Sequence, residues 1–332
     1  MPTPTFKGTI SPAIQELATQ ISGKYLQALA GPDPSNVWRM FCGVTPTAPG
    51  DEIVKFPIDP EDLSTFEPDE GAIKLPEGEL ASFSIEQAPW RKTKGIPLRV
   101  LQRGGQFGGY PDKVAHILLA GRRTVPRLVA QVLKNGKTTA KTYQGIAMFQ
   151  STALHNNNPL DADKGQFLNL ITAKDFNVAN WEQAQEDMGL MKGMDGVESL
   201  GLTVTHLLGG TKMRNPFNRV FKKMLILDAT GAAAESNIHY EAIEGEAMPI
   251  IMPQLDDDAI VTTGKQVWYT ISTSLIARPI EVLLENDGNP SIEILGEGTE
   301  FATINGKVAV IGRMAANAGC AFAHTIKRYE GN

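Results

Sequence analysis

Apolar residues return every three or four positions near the start of the chain: Ile14, Leu17, Ala18, Ile21, Tyr25, Leu26 and Leu29. That spacing puts them on one face of a helix. Ser11 supplies a cap, Pro12 sits at the tolerated first turn, and Gly31-Pro32 ends the run. The result is an amphipathic helix that needs a surface to lie against. A second helical pattern opens at Pro111 with Val114, Ile117, Leu118 and Leu119, then stalls between Gly121 and Pro126. It resumes with Leu128, Val129, Val132 and Leu133 and stops at Asn135-Gly136. One long helix with a local break and two consecutive helices both fit. Further helices are predicted over 178–191, with Trp181, Ala184, Met188 and Met191 on one face, and over 216–224.

Strand signals flank residues 51–86, at 53–56 and 80–85, and recur at 200–208, 238–242, 248–252, 267–272, 280–284 and 292–295. The last segment, 306–326, mixes a strand-like 308–311 with small residues. No repeat or low-complexity tract interrupts this order. Helices and strands do not alternate regularly, so the class is α+β.

Charge changes the picture at one place. Residues 51–86 carry Asp51, Glu52, Asp59, Glu61, Asp62, Glu67, Asp69, Glu70, Glu77, Glu79 and Glu86 against Lys55 and Lys74, with four prolines among them. This reads as a long, extended, hairpin-like excursion; a loop of that length inside a compact domain is expected to be functional or bound to another chain. The sign then reverses. Arg91, Lys92, Lys94, Arg99, Arg103, Lys113, Arg122, Arg123, Arg127, Lys134, Lys137 and Lys141 face Asp112 alone within 91–141. The two blocks are either adjacent solvated faces or complementary surfaces that meet between subunits, setting register more than affinity.

Composition adds bounds. The 332 residues suffice for one large domain or two to three small ones, and 42% hydrophobic with 20% charged residues is ordinary for a folded protein. A net charge of −6 argues against a protein that wraps duplex DNA over its whole surface. Cys42 and Cys320 are too few for a disulfide scaffold, so a reducing compartment is expected. The N-terminus has no signal-peptide pattern and no apolar run reaches membrane-spanning length, so a chain made in the cytoplasm, with no membrane partner, is expected.

Candidate chemistry fails on spacing. Gly136-Lys137-Thr138 resembles the end of a phosphate-binding loop, but that loop needs a glycine where Gln131 stands, and a helix-ending glycine followed by lysine is the simpler reading. Gly104, Gly105, Gly108 and Gly109 lack dinucleotide spacing and read as a turn before the basic helix. His116, His155, His206, His239 and His324 offer no pair at ligand spacing and read as surface or packing residues. Asp256-Asp257-Asp258 lacks the spaced ligands of a calcium loop and reads as a solvated loop. No serine sits in a nucleophile elbow, and neither cysteine has a catalytic context. The sequence predicts no catalytic residue, metal ligand or cofactor.

An ordered series of segments carries a resemblance. It runs Phe107-Gly108-Gly109-Tyr110, then Gly121 to Pro126, Leu128 to Gly136, Tyr143 to His155 and Asn180 to Met191. Pro253-Gln254-Leu255, Trp268-Tyr269, Arg278-Pro279 and Gly312-Arg313 to Ala323 follow. In this order and spacing, over roughly residues 96–330, the chain resembles the major capsid protein of Mu-like tailed bacteriophages. Gln144-Gly145 stands where that family has aspartate-glycine, and Phe322 or His324 where it has a tryptophan. The resemblance implies the Hong Kong 97-type capsid fold. In that fold an N-terminal arm (1–50) would precede an extended loop, the E-loop (51–92). A peripheral domain (93–144) with a spine helix at about 112–135, an axial domain (145–275) and a return to the peripheral domain (276–332) would follow.

The implied function is self-assembly into hexamers and pentamers of an icosahedral head enclosing double-stranded DNA, within a virion assembled in the host cytoplasm. The implied partners are other copies of the chain, a portal, optionally a decoration protein, and packaged DNA touched non-specifically. The chain opens at Met1 with its helix near Ser11, so no scaffolding extension is expected and a separate scaffolding protein is implied. Inter-subunit contacts are expected at Asp59, Glu61, Asp62, Glu67, Asp69 and Glu70. Inter-subunit or DNA-facing contacts are expected at Arg91, Lys92, Lys94, Arg99, Arg103, Arg122, Arg123 and Arg127. Lys92 or Lys94 could in principle cross-link to an asparagine, although ordinary exposed lysines are the simpler reading. The alternatives are a compartment subunit that encloses enzyme cargo and, more distantly, a nucleotide-dependent enzyme.

Overall fold

The computed structural model describes residues 5–8, 10–29, 34–48, 53–58, 81–101, 109–142, 144–152, 155–158, 161–193, 196–222, 225–227, 234–236, 247–275 and 278–332. Its strands are β1 (Thr5–Lys7), β2 (Gly43–Thr47), β3 (Ile53–Ile58), β4 (Ala81–Glu86), β5 (Pro89–Pro97), β6 (His155–Asn158), β7 (Asp161–Phe167) and β8 (Leu170–Ile171). They continue with β9 (His206–Gly209), β10 (Leu225–Leu227), β11 (Ala234–Ser236), β12 (Met248–Ile251), β13 (Val267–Ile271), β14 (Ile280–Glu285), β15 (Ser291–Leu295), β16 (Lys307–Cys320) and β17 (Ile326–Glu330). The α-helices are α1 (Pro12–Leu29), α2 (Leu98–Leu101), α3 (Tyr110–Arg122), α4 (Thr124–Asn135), α5 (Val178–Gly189), α6 (Arg214–Phe221), α7 (Ala259–Thr262) and α8 (Glu300–Asn305).

Two sheets organise these elements. The first has the order β1-β15-β16-β14-β2, with β5 on the other edge of β16. β16 serves three neighbours: residues 309–313 pair with β15, 316–320 with β14, and 307–315 with β5. The second sheet has the order β12-β9-β13-β17-β8, and β13 is buried along its whole length. Helix α1 buries Ile14, Leu17, Ile21 and Tyr25 against Ile96, Leu101, Ile292, Ile294, Val308 and Val310. The face read from its periodicity is therefore covered within its own chain.

Helix α4 lies in a core fed by both sheets. Leu128, Val129, Val132 and Leu133 pack with Val282, Leu284, Met314 and Ala316 from the first sheet and with Tyr269 and Ile271 from the second. A separate cluster joins α5 and α6 to the second sheet through Trp181, Met188, Phe217, Trp268 and Tyr329. The rings of Trp268 and Tyr329 stack at 3.9 Å and 10°.

Several expectations change. Of the two readings open for residues 111–136, the structure has two consecutive helices, meeting at Arg123, whose φ of −77° and ψ of −12° stay right-handed. The strand expected at 200–208 is shorter and shifted, running from His206 to Gly209. The strand-like 308–311 is part of a 14-residue strand that continues through the small residues, because partners on both edges supply what local propensity lacks. Strands β14, β15 and β16 join the first sheet, whereas β17 pairs with β13 and β8 in the second. The strand predicted at 238–242 lies outside the described residues, as do His239, Gly104, Gly105 and Gly108.

The acidic run is solvated only in part, because Asp257 stays exposed while Asp258 is buried. Asp256 accepts from the Thr211 backbone N–H at 2.6 Å, and Asp257 pairs with Lys134 at 2.6 Å. Asp258 is buried, caps α7 by accepting from Ile260 N–H at 2.9 Å, and pairs with Arg328 at 3.1 Å. Gly136 ends α4 at a right-handed φ of −60°, so left-handed freedom does not explain it. A Cβ there would instead overlap the Phe149 ring. Lys137 is held by Glu330 at 3.0 Å. Cys42 and Cys320 are buried free thiols. Gly43 faces Glu281 in β14 and Cys320 faces Ile280 from β14's opposite edge, so the two cysteine-bearing segments are separated by β14. Two strand spacings, about 10 Å, exceed disulfide reach.

Candidate functional site: a basic cleft at the helix break

The junction of α3 and α4 does not close against the first sheet. It leaves a cleft of about 340 Å³ lined by Trp90, Arg91, Lys92, Ala120, Gly121, Arg123, Thr124, Arg127, Pro290, Gly312 and Met314. The break brings Arg123 to the rim, and Arg127 follows one turn later. β5 delivers Trp90, Arg91 and Lys92, opposite Met314, Arg313 and Gly312 of β16. Trp90 is fixed by donating its indole N–H to the Ala316 carbonyl at 2.9 Å, and the Arg127 guanidinium lies 5.5 Å from its ring centre. Gly121 lets α3 approach: a Cβ there would sit 2.9 Å from Pro290 Cγ and 3.2 Å from Met314 Sδ.

Four cations therefore surround one opening with no carboxylate in its lining. Among the described residues none of Arg91, Lys92, Arg123 and Arg127 has an ion pair. Of the other basic residues expected to act, Lys94 and Arg99 lie further along β5 and in α2, outside the lining. Arg122 ends α3 beside Tyr25, whose hydroxyl is pushed up by burial against the opposing pull of that guanidinium. Arg103 and all six acids, Asp59, Glu61, Asp62, Glu67, Asp69 and Glu70, lie outside the described residues. Charge spacing marked the cations of the cleft. The apolar half (Trp90, Pro290 and Met314) comes from three distant segments and had no local signal, apart from an aromatic residue preceding the basic run.

The acidic excursion's base is visible. β3 and β4 form an antiparallel hairpin from Ile53↔Glu86 to Ile58↔Ala81. It sits on the end of β16. Asn317 donates to the Glu86 carbonyl at 2.5 Å, and Gly319 lies so close under Ile85 that a Cβ would meet Ile85 Cγ1 at 2.6 Å.

Two further buried groupings were not legible in the sequence. Arg328, 1% exposed, reaches Glu330 at 2.8 Å, Asp258 at 3.1 Å, the Tyr269 hydroxyl at 3.0 Å and the Leu133 carbonyl at 3.2 Å. It ties β17 and α7 to the C-terminal turn of α4. His155 and His324 sit in a row of rings with Phe167 and Phe322, at centroid distances of 4.3–5.2 Å. Burial holds both imidazoles below the usual range, His324 at about 3. Among the described residues no group of three His, Cys, Asp or Glu side chains is arranged for a metal, and no helix is long and apolar enough to cross a membrane.

No protein-family model matches this chain, and no curated protein does. Solved structures do. The fold superposes on the capsid of a native GTA particle with a TM-score of 0.54 at 10% identity, covering 91% of each chain. For the mature capsid of bacteriophage PhiM1 the TM-score is 0.52 at 9% identity, with 91% and 89% covered. A phage-related protein from Bordetella bronchiseptica gives 0.52 at 10% identity, with 93% and 95% covered. The chain thus has the α+β capsid fold of the Hong Kong 97 type. At these identities the likeness is one of fold.

Proposed function

We propose that this chain is the major capsid protein of a tailed bacteriophage of the Mu-like kind. It forms hexamers and pentamers of an icosahedral head around double-stranded DNA. The observation that carries the reading is the fold's agreement, along 91% of the chain, with capsid subunits whose own lengths are nearly fully covered. A ligand-binding enzyme of unrelated purpose has no reason to reproduce that whole outline. The N-terminal arm, E-loop, spine, axial and peripheral parts follow the order given by the sequence, and a separate scaffolding protein, a portal and DNA phosphates are the partners of this reading. Identical subunits joined by heterologous contacts close into rings and shells.

The test is electron microscopy of the purified protein, with nuclease protection of particles from the producing cell. Icosahedral particles that protect genome-length DNA are expected. Small empty or enzyme-filled shells would mean a cargo compartment, and a monodisperse small oligomer that turns over nucleotide would sink the shell reading.

A further inference from the structure

The cleft at the helix break is cationic on one side and apolar on the other, and an occupant has to answer both. We propose that it binds a nucleoside phosphate whose base is unpaired. The phosphates lie among the four cations and the base lies against Trp90, Pro290 and Met314.

Sheet register explains the shape. Trp90 stands opposite Met314, and Lys92 opposite Gly312. Opposed residues, and residues two apart on one strand, share a face. The floor therefore carries two apolar side chains at one rung and a lysine at the next, beside bare backbone where Gly312 has no side chain. The helix break supplies the wall, with Arg123 and Arg127 on it. The opening of about 340 Å³ is of the size that holds small molecules.

Both halves select the ligand. Four cations around one opening repel each other unless counter-charge enters. Trp90 is held by its bond to the Ala316 carbonyl, and the Arg127 guanidinium lies 5.5 Å from its ring centre. Flat bases stack on aromatic rings and on guanidinium planes, so this pair offers a stacking surface before any ligand arrives. Duplex DNA presents phosphates but keeps its bases inside the stack, and inorganic polyphosphate has no base. Each leaves the Trp90 side of the cleft unused, whereas an unpaired nucleotide uses both sides. Among the described residues the lining has no carboxylate to act as a general base toward an attacking water. The geometry points to binding without turnover, which is compatible with a shell subunit and does not depend on one.

Calorimetric titration of the purified chain at physiological salt tests this, with tryptophan emission as the reporter of place. Trp38, Trp181 and Trp268 are buried and Trp90 is half-buried, so a base in the cleft quenches Trp90 first. ATP or single-stranded oligothymidylate should quench and should bind at least about tenfold tighter than tripolyphosphate or a duplex of the same length. A tighter strand makes single-stranded nucleic acid the source of the ligand, and tighter ATP makes it free nucleotide. Arg123→Gln/Arg127→Gln, at two exposed positions, should keep the circular dichroism and weaken binding at least about tenfold. Trp90→Leu should erase the difference between ATP and tripolyphosphate while leaving tripolyphosphate binding unchanged, a result that a misfolded chain would not give.

The proposal fails if tripolyphosphate or the duplex binds as tightly as the unpaired nucleotide, or if the arginine variant binds normally. Equal binding of polyaspartate would make the cleft a site for acidic side chains and would overturn it too. Hydrolysis of the bound ATP would overturn binding without turnover. None of these readings requires particles, so their failure is distinct from failure of the shell reading.

Discussion

Replacing Arg328 by methionine removes one charge from an almost sealed site and fills most of its volume. The partners left behind fix the magnitude. Glu330 keeps Lys137 at 3.0 Å, but Asp258, itself buried, loses the Arg328 cation and retains the Ile260 N–H at 2.9 Å. A buried pair broken from one side costs about 3–5 kcal/mol, because the surviving charge is stranded. The Tyr269 hydroxyl and the Leu133 carbonyl lose a donor, at about 1 kcal/mol each.

Arg328→Met should therefore destabilise the subunit by about 5–7 kcal/mol. Urea unfolding of the unassembled chain measures it, with the buried Trp181 and Trp268 as fluorescent reporters. Adding Asp258→Asn removes the stranded charge and keeps an acceptor for the α7 cap. The double variant should regain at least about 2 kcal/mol. A single variant within about 1 kcal/mol of the parent, or a double variant that regains nothing, would refute the reasoning.

Other outcomes follow from the same packing. The folded state holds His324 at about 3, so the unfolded chain binds the extra proton below about pH 6.5. Stability should fall by about 1.4 kcal/mol per pH unit from there toward pH 3, and His324→Phe should flatten melting temperature against pH over that window. Glu281 has the opposite sign: burial raises its carboxyl to about 7, so its contribution to stability declines as pH rises from about 4.5 to 7. Glu281→Gln should accordingly raise the melting temperature at pH 8 and leave it unchanged at pH 4. Gly136→Ala should cost about 1–3 kcal/mol by forcing the Phe149 ring aside, read by urea midpoint. Particles boiled in denaturant should run as monomers on a gel, and a ladder of multimers would revive a covalent link through Lys92 or Lys94.

Local sequence determined what local physics controls. The α1 face follows from 3.6-residue spacing, and the same seven positions that repeat in the sequence include the five that seal the α1 core. Residues 280–284 and 292–295 announced themselves as strands by β-branched and leucine content, and the hairpin at 53–86 by its two strand signals around an acidic run. The charge reversal between 51–86 and 91–141 was plain in the sequence, because charge needs no neighbour to be counted.

Tertiary structure decided the rest. Nothing local makes a strand of Gly312 to Gly319; pairing along both edges of β16 does. Three consecutive aspartates looked solvated because their partners, Thr211, Lys134 and Arg328, stand 45 to 123 residues away. The basic run became a cleft only where Trp90, Pro290 and Met314 from three separate strands and turns gave it an apolar wall. Side-chain periodicity and charge act over a few residues and can be read along the chain. Burial, ion pairing and concavity depend on which distant segments the fold brings within a few ångströms, and only the packed structure fixes those distances.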